Sequence, residues 1–162
     1  MVVLGKGVYL LMLWLPQNSA LQVGKHGHFF FPGGFYIYVG SALGPNGLRK
    51  RLSYHLRRVK QPHWHIDYLR CITTVSAIWY AQSEANREHD WANLVYRLPG
   101  AKVIVRRFGA SDCTCQSHLF HVVVQPSLST FQALVTAHFA CDTSAQVSQI
   151  ALQVPIFQIA YT

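Results

Sequence analysis

Acidic side chains are scarce in this chain of 162 residues, which has six Asp and Glu against 14 Lys and Arg and a formal net charge of +8. Basic side chains are missing from its last third, because every Lys and Arg lies between Lys6 and Arg107. So large a positive excess on so few charged groups indicates an anionic partner, and nucleic acid is the first candidate. We therefore expect a DNA-contacting surface to belong to residues 1–107.

Cysteine and long apolar runs are also in short supply. Four cysteines in a chain of this length do not match the disulfide framework of a small secreted domain, so we expect reduced thiols and a cytoplasmic protein. The apolar run 8–15 is too short to span a bilayer. One lysine precedes that run closely and no cleavage motif follows it, so we expect neither a signal peptide nor a membrane partner.

The length of the chain and its hydrophobic content of 51% are sufficient for one buried core. We expect an α+β domain over residues 1–125, in which a small mixed or antiparallel β-sheet is flanked by helices. A C-terminal helical extension and a tail would follow over residues 126–162.

Apolar periodicity and turn residues predict the individual elements. Residues 1–40 are typical of a β-meander, and Ser83 is the expected N-cap of a helix that ends near residue 98. The predicted strands are 7–15, 20–23, 29–31, 35–39, 72–80, 101–105 and 119–124, and the predicted helices are 48–59, 84–98 and 128–139.

Two tripeptides on predicted strands, Gly-Val-Tyr at 7–9 and Tyr-Val-Gly at 38–40, resemble the signature strands of the GIY-YIG nuclease superfamily. The resemblance continues in Arg51 and His55, one turn apart on the predicted first helix, and in Glu88 on a later helix. Each motif alone is weak, but their order, spacing and chemistry together are specific. The resemblance covers roughly residues 5–105.

A narrower resemblance extends further along the chain. Residues 63–68 and 108–119 are similar to a prokaryotic branch of GIY-YIG-related domains that is sometimes fused to endonuclease III type repair enzymes. The chain departs from the superfamily in one respect, since residues 10–37 form an unusually long stretch between the two tripeptides. We expect an extra N-terminal hairpin there.

The resemblance implies a metal-dependent DNA endonuclease that hydrolyses phosphodiester bonds. Tyr9 would activate or position the attacking water, Arg51 would stabilise the charge on the scissile phosphate, and Glu88 would hold one Mg²⁺ or Mn²⁺ beside the leaving oxygen. Tyr38 and His55 would line the phosphate site by hydrogen bonding, with His55 a candidate proton donor or acceptor.

Glu88 is also singled out by its place on the predicted helix. It is in line with the apolar residues at 91, 92 and 95, so its carboxylate should lie at the edge of the face that packs inward. A carboxylate in that position needs a positive partner, which Arg51 or a metal ion would supply. The structural alternative is an ion pair with Arg87 or Arg51.

Basic residues on the first predicted helix point away from its apolar stripe and should follow the DNA backbone without reading its sequence. They are Arg49, Lys50, Arg57, Arg58 and Lys60.

Two further clusters contain metal-ligand types. Cys113, Cys115 and His118 would suit zinc, but their spacing matches no common zinc module, so we favour a reduced, packed loop over a Zn²⁺ site. The pattern His-x-His-x-Asp at 63–67 resembles the first metal motif of metallo-β-lactamase-like hydrolases. Tyr68 stands where those enzymes have another His, so we expect no dinuclear site.

Two other functions remain open at the level of the sequence. One is a nucleic-acid-binding module that keeps the fold and the basic helix but does not cut. The other is a zinc-stabilised domain that binds a protein partner. Metal-dependent turnover of DNA distinguishes the enzyme from the first, and stoichiometric zinc without DNA affinity would favour the second.

Overall fold

The computed structural model describes residues 4–57, 61–142 and 146–150. Within these residues the fold is α+β, as predicted, with a five-stranded antiparallel sheet, a two-stranded hairpin and four α-helices. The strands are β1 (Gly7–Leu15), β2 (Ser19–Val23), β3 (Gly27–Phe31), β4 (Gly34–Ala42), β5 (Thr74–Gln82), β6 (Leu119–Val122) and β7 (Ser148–Gln149). The helices are α1 (Gly47–Leu56), α2 (His65–Arg70), α3 (Glu88–Tyr96) and α4 (Leu128–His138). No helix in the described ranges is long and apolar enough to cross a membrane.

Strand β1 lies at the centre of the sheet, whose strand order is β6-β4-β1-β5-β7. Successive side chains of a strand point to opposite faces, so a strand covered on both faces must be apolar almost throughout. Val8, Leu10 and Met12 of β1 pack on one face, and Tyr9 and Leu11 pack on the other. The continuous apolar run that opens the chain is therefore the central strand of a sheet with two cores.

Each face of the sheet has its own layer of helices. Trp91 of α3 and Phe131 of α4 belong to the core around Val8. Leu48 of α1 and Ile66 of α2 belong to the core around Tyr9, together with apolar residues of the β2–β3 hairpin. The basic helix α1 and the start of α3 thus approach the sheet from opposite faces.

The prediction of a β-meander over residues 1–40 is wrong, whereas the extra hairpin is confirmed. Strand β1 pairs directly with β4, from Gly7 opposite Ala42 to Leu15 opposite Gly34. Strands β2 and β3 pair with each other in a separate sheet. The long insertion therefore projects from the central sheet as a separate hairpin. Its two strands are joined by a tight turn at 24–26.

Two predicted boundaries after residue 80 also need correction. The third helix begins at Glu88, because Ser83 Oγ accepts hydrogen bonds from the Ala85 amide and from Arg87 Nε instead of capping a helix. The predicted strand 101–105 is reduced to one isolated bridge between Lys102 and His121, after which the chain turns through Arg107 at a φ of 63°. Residues 104 and 105 already form a bend and 106–109 a turn, so the chain leaves the sheet within the predicted strand.

The remaining helices show why local signals succeed or fail. Helix α4 lies where predicted and is capped by Ser127, whose side chain accepts a hydrogen bond from the Thr130 amide. Helix α1 ends at Leu56, and the last predicted residues of that helix, at 58–59, lie outside the described residues. Helix α2 was not predicted because six residues are too few to show helical periodicity.

Candidate functional site

Tyr9 and Tyr38 meet on one face of the central sheet. Tyr38 on β4 is opposite Leu11, so the two tyrosines are diagonal neighbours on adjacent strands, with ring centroids 6.5 Å apart. Gly40 lies directly opposite Tyr9, and a Cβ at that position would be 2.3 Å from the Tyr9 hydroxyl oxygen. The glycine in the second tripeptide is therefore required for the Tyr9 ring to lie across the neighbouring strand.

His55 joins the two tyrosines from helix α1. Leu48 and Leu52 anchor this helix in the core, and His55 continues their stripe one turn later, so its ring also points inward. Its Nε2 atom is 2.8 Å from the Tyr9 hydroxyl, and its ring centroid is 6.1 Å from that of Tyr38. Three residues separated in the sequence thus form one buried polar group.

Asp67 lies behind His55 and was not predicted to belong to this site. Its Oδ1 atom is 3.6 Å from His55 Nδ1, which is within ion-pair range though longer than a hydrogen bond. Its Oδ2 atom accepts hydrogen bonds of 2.9 Å from the backbone amides of His63 and Trp64. These bonds at the start of α2 allow the carboxylate to be buried. No local signal in the sequence pointed to Asp67 as a partner of His55, because α2 is too short to show helical periodicity.

The side chains of His63, His65 and Asp67 point to different partners among the described residues. His63 is exposed, and His65 Nδ1 accepts a hydrogen bond from the Gly109 amide at 3.1 Å. The Asp67 carboxylate faces the His55 ring and not the ring of His63 or His65.

Arg51 lies one turn before His55 on α1. Its guanidinium is 4.4 Å from the centroid of the Trp64 ring, a cation–π contact that holds the group in place. Burial is the largest cause that raises the pKa of Tyr9 well above its usual range, with Tyr38, Glu88 and Asp67 acting in the same direction and Arg51 opposing it. The pKa of Tyr38 is likewise raised, first by burial and then by Glu88, and lowered in part by Arg51. Both tyrosines are therefore neutral phenols that lie within the field of Arg51 and Glu88.

Glu88 is the first residue of α3, and both of its carboxylate oxygens have partners. Ser41 Oγ donates to Oε2 at 2.6 Å, and His118 Nδ1 lies 2.9 Å from Oε1. Burial acts to raise the pKa of Glu88, but the hydrogen bonds from His118 and Ser41 outweigh it and the pKa is lowered. Arg87, the alternative ion-pair partner suggested by the sequence, contacts Asp142 instead.

A second cluster lies directly beside Glu88. Its members offer ligand atoms that all lie within 4.8 Å of one another, and they are His89, Cys113, Cys115 and His118. The sequence indicated three of these residues and missed His89, which is far away in the chain and reaches the loop from the first turn of α3. Two thiols and two imidazoles could hold a metal ion, and they suit Zn²⁺ far better than Mg²⁺, which prefers oxygen ligands.

Comparison with known protein families places this chain. A family model described as "Domain of unknown function DUF123" matches residues 8–140. The chain belongs to the DUF123 family. The matched segment of this DUF123 domain includes Tyr9, Tyr38 and His55, as well as Glu88 and the His/Cys cluster. No curated protein and no solved structure matches the chain.

The described part of the predicted basic surface lies on α1, the helix of His55, and on its C-cap residue Arg57. Arg49, Lys50 and Arg57 of this surface are exposed. The other two predicted members, Arg58 and Lys60, lie outside the described residues.

Proposed function

We propose that this DUF123 domain is a metal-dependent endonuclease of the GIY-YIG type that hydrolyses phosphodiester bonds in DNA. The observation that carries the proposal is the convergence of Tyr9, Tyr38 and His55 from two neighbouring strands and the first helix, with the Tyr9 hydroxyl 2.8 Å from His55 Nε2. These are residues that the GIY-YIG resemblance assigns to a nuclease site. The exposed basic side chains at 49, 50 and 57 on the same helix support a polyanionic substrate.

Tyr9 is the group that takes a proton from the attacking water. Because its pKa is raised, chiefly by burial, its hydroxyl stays protonated until another group accepts that proton. His55 Nε2 is in hydrogen-bond contact and accepts it as the water proton moves to the Tyr9 oxygen. The resulting imidazolium is stabilised by Asp67, 3.6 Å from Nδ1, so Asp67 acts as a positioning residue through His55.

Arg51 stabilises the charge that develops on the scissile phosphate. A guanidinium presents several N–H donors in one plane, which suits two phosphate oxygens at once. The contact with Trp64 limits the conformations of the Arg51 side chain before substrate binds. Tyr38 lies beside His55 and contributes a neutral hydroxyl as a hydrogen-bond donor.

Glu88 fits the requirements of one Mg²⁺ or Mn²⁺ ion. Its lowered pKa keeps it ionised, its side chain is 19% exposed, and a carboxylate has about four acceptor sites, so the two bonds it makes leave room for a metal. Mg²⁺ in proteins is commonly held by one or two carboxylates together with waters and substrate phosphates. When bound, the ion supplies electrostatic stabilisation at the leaving oxygen.

Cleavage of labelled DNA with and without EDTA tests the proposal. We expect multiple-turnover cleavage in Mg²⁺ or Mn²⁺ that EDTA abolishes and fresh Mg²⁺ restores. DNA binding without cleavage under all these conditions would favour the non-cutting nucleic-acid-binding module. Neither binding nor cleavage would favour the partner-binding domain.

DNA affinity should depend steeply on salt because of the basic residues of α1. If Arg49, Lys50 and Arg57 each contact one phosphate, the logarithmic salt slope is about −2.7 and a fourfold increase in salt weakens binding about 40-fold. Changing all three to Gln should reduce that slope by about 2.7 without altering the fold, since all three are exposed. Fluorescence anisotropy across a salt series measures both quantities.

The matched control changes Arg97 and Lys102 to Gln. Both side chains are exposed, and Arg97 follows α3 on the opposite face of the sheet from α1. This variant should keep the wild-type slope. If the salt slope falls equally in the two variants, α1 does not contact DNA, and the effect reflects only the net charge of the protein.

A further inference from the structure

We propose that His89, Cys113, Cys115 and His118 bind one structural Zn²⁺ ion, which joins the first turn of α3 to the loop 107–118. This site is separate from the proposed Mg²⁺ or Mn²⁺ position at Glu88. The proposal does not depend on nuclease activity.

The ligand atoms have nearly the spacing that zinc requires. Bonds of about 2.0–2.3 Å to nitrogen and sulfur in a tetrahedron place neighbouring ligand atoms about 3.3–3.8 Å apart. His89 Nδ1 is 3.2 Å from Cys115 Sγ, and His118 Nε2 is 3.5 Å from Cys113 Sγ. All four atoms lie within 4.8 Å of one another, so only a small contraction closes the site.

His118 is oriented as a metal ligand. Its ring is buried, and its Nδ1 atom faces the Glu88 carboxylate at 2.9 Å while its Nε2 atom faces Cys113. A carboxylate 2.9 Å from Nδ1 favours the tautomer with the proton on that nitrogen, which leaves the Nε2 lone pair available for the metal, as in the usual outer-shell arrangement of zinc-bound histidine.

The loop that carries the two thiols is built around Arg107. This residue adopts left-handed backbone at a φ of 63°, and its amide donates to the Gln116 carbonyl at 2.7 Å. Its guanidinium donates to the carbonyl of Cys113 and, at 3.2 Å, to that of Cys115. One side chain thus holds the backbone of both thiol residues.

Four protein ligands leave no open coordination position, which is typical of a structural zinc site and not of a catalytic one. The ion would also restrain Glu88, because Glu88 precedes one ligand in the chain and contacts another. Zinc would therefore hold Glu88 beside Ser41, where its charge acts on Tyr9 and Tyr38, and would take no part in the proposed hydrolysis.

Elemental analysis of protein purified without chelator tests the site directly. We expect about one zinc per chain in the wild type and near zero in Cys113→Ser/Cys115→Ser. Cys141→Ser is the matched control, because Cys141 is an exposed free thiol outside the cluster, and it should keep its zinc.

Cobalt substitution supplies a readout that needs no variant and no activity. Zinc-depleted wild-type protein titrated with Co²⁺ should develop thiolate charge-transfer absorption and the intense visible bands of tetrahedral Co²⁺, saturating at about one equivalent. Wild-type protein with less than about a tenth of an equivalent of zinc and no such bands would overturn the proposal. Stoichiometric zinc retained in a folded Cys113→Ser/Cys115→Ser protein would overturn it equally.

Discussion

Replacing Tyr9 with Phe should slow DNA cleavage by about 10²–10⁴-fold, the range over which a positioned proton acceptor contributes. The substitution removes one oxygen atom, which lies 2.8 Å from His55 Nε2, and leaves the packing of the ring in the core unchanged. Without that oxygen, His55 cannot receive the proton of the attacking water through Tyr9. Single-turnover cleavage of labelled DNA measures the rate, and anisotropy should show that binding is retained.

Tyr36→Phe is the matched control for Tyr9→Phe. Tyr36 is a buried tyrosine of the same sheet, and its hydroxyl donates to the Pro32 carbonyl at 2.6 Å, so both substitutions delete one buried hydrogen bond. Each should cost about 1 kcal/mol of unfolding free energy. If both variants lose the same activity, in proportion to their loss of thermal stability, Tyr9 has only a structural role in the core.

Glu88→Ala should abolish cleavage while DNA binding persists or tightens. The substitution removes the proposed ligand of the divalent ion together with a negative charge near the phosphate site. Glu84→Ala should have little effect, because Glu84 is 81% exposed and forms a surface ion pair with Lys6, an interaction of about 0–1 kcal/mol. Cleavage, DNA affinity and thermal unfolding are measured on both variants.

The contact between Glu88 and His118 provides a sharper comparison. Glu88→Gln keeps one oxygen that can face His118, and its amide NH2 can donate to the Ser41 hydroxyl in place of the second oxygen, but it removes the charge that a divalent ion needs. If Glu88 is a metal ligand, the Glu88→Gln protein should be as inactive as the Glu88→Ala protein. If its role is purely structural, Glu88→Gln should restore both stability and cleavage. Zinc content is measured on each variant, because loss of an outer-shell partner commonly weakens a metal site about 10–100-fold. A folded Glu88→Ala protein that cuts DNA at a near wild-type rate would sink the proposed mechanism.

Several parts of the fold could be read from neighbouring residues alone. The apolar run at 7–15 predicted a strand, and the stripe containing Leu48 and Leu52 predicted α1 with the correct face inward. The start of α4 was also predicted correctly at Leu128, and the structure shows Ser127 as its cap. These predictions succeed because side-chain periodicity and capping act within one or two turns of the backbone.

Two boundaries of helices and strands could not be predicted, because the sequence allowed more than one local hydrogen-bonding arrangement. Ser83 could cap a helix or hold a turn, and it holds the turn because Arg87 Nε and the Ala85 amide both reach its hydroxyl. The strand expected at 101–105 lost its partner after Lys102, where the chain turns toward Arg107. Neither outcome is encoded in the propensity of a single residue.

The sequence by itself named the residues proposed to carry chemistry at this site, since the resemblance to the GIY-YIG superfamily implied Tyr9, Tyr38, His55 and Glu88. The tertiary structure alone decided their partners. Asp67 stands behind His55 only because α2 packs beside α1, and His89 reaches Cys115 across 26 residues only because α3 begins next to the loop. Spacing rules describe ligands that share one element, whereas a cluster assembled from two elements is set by how those elements pack on a common sheet.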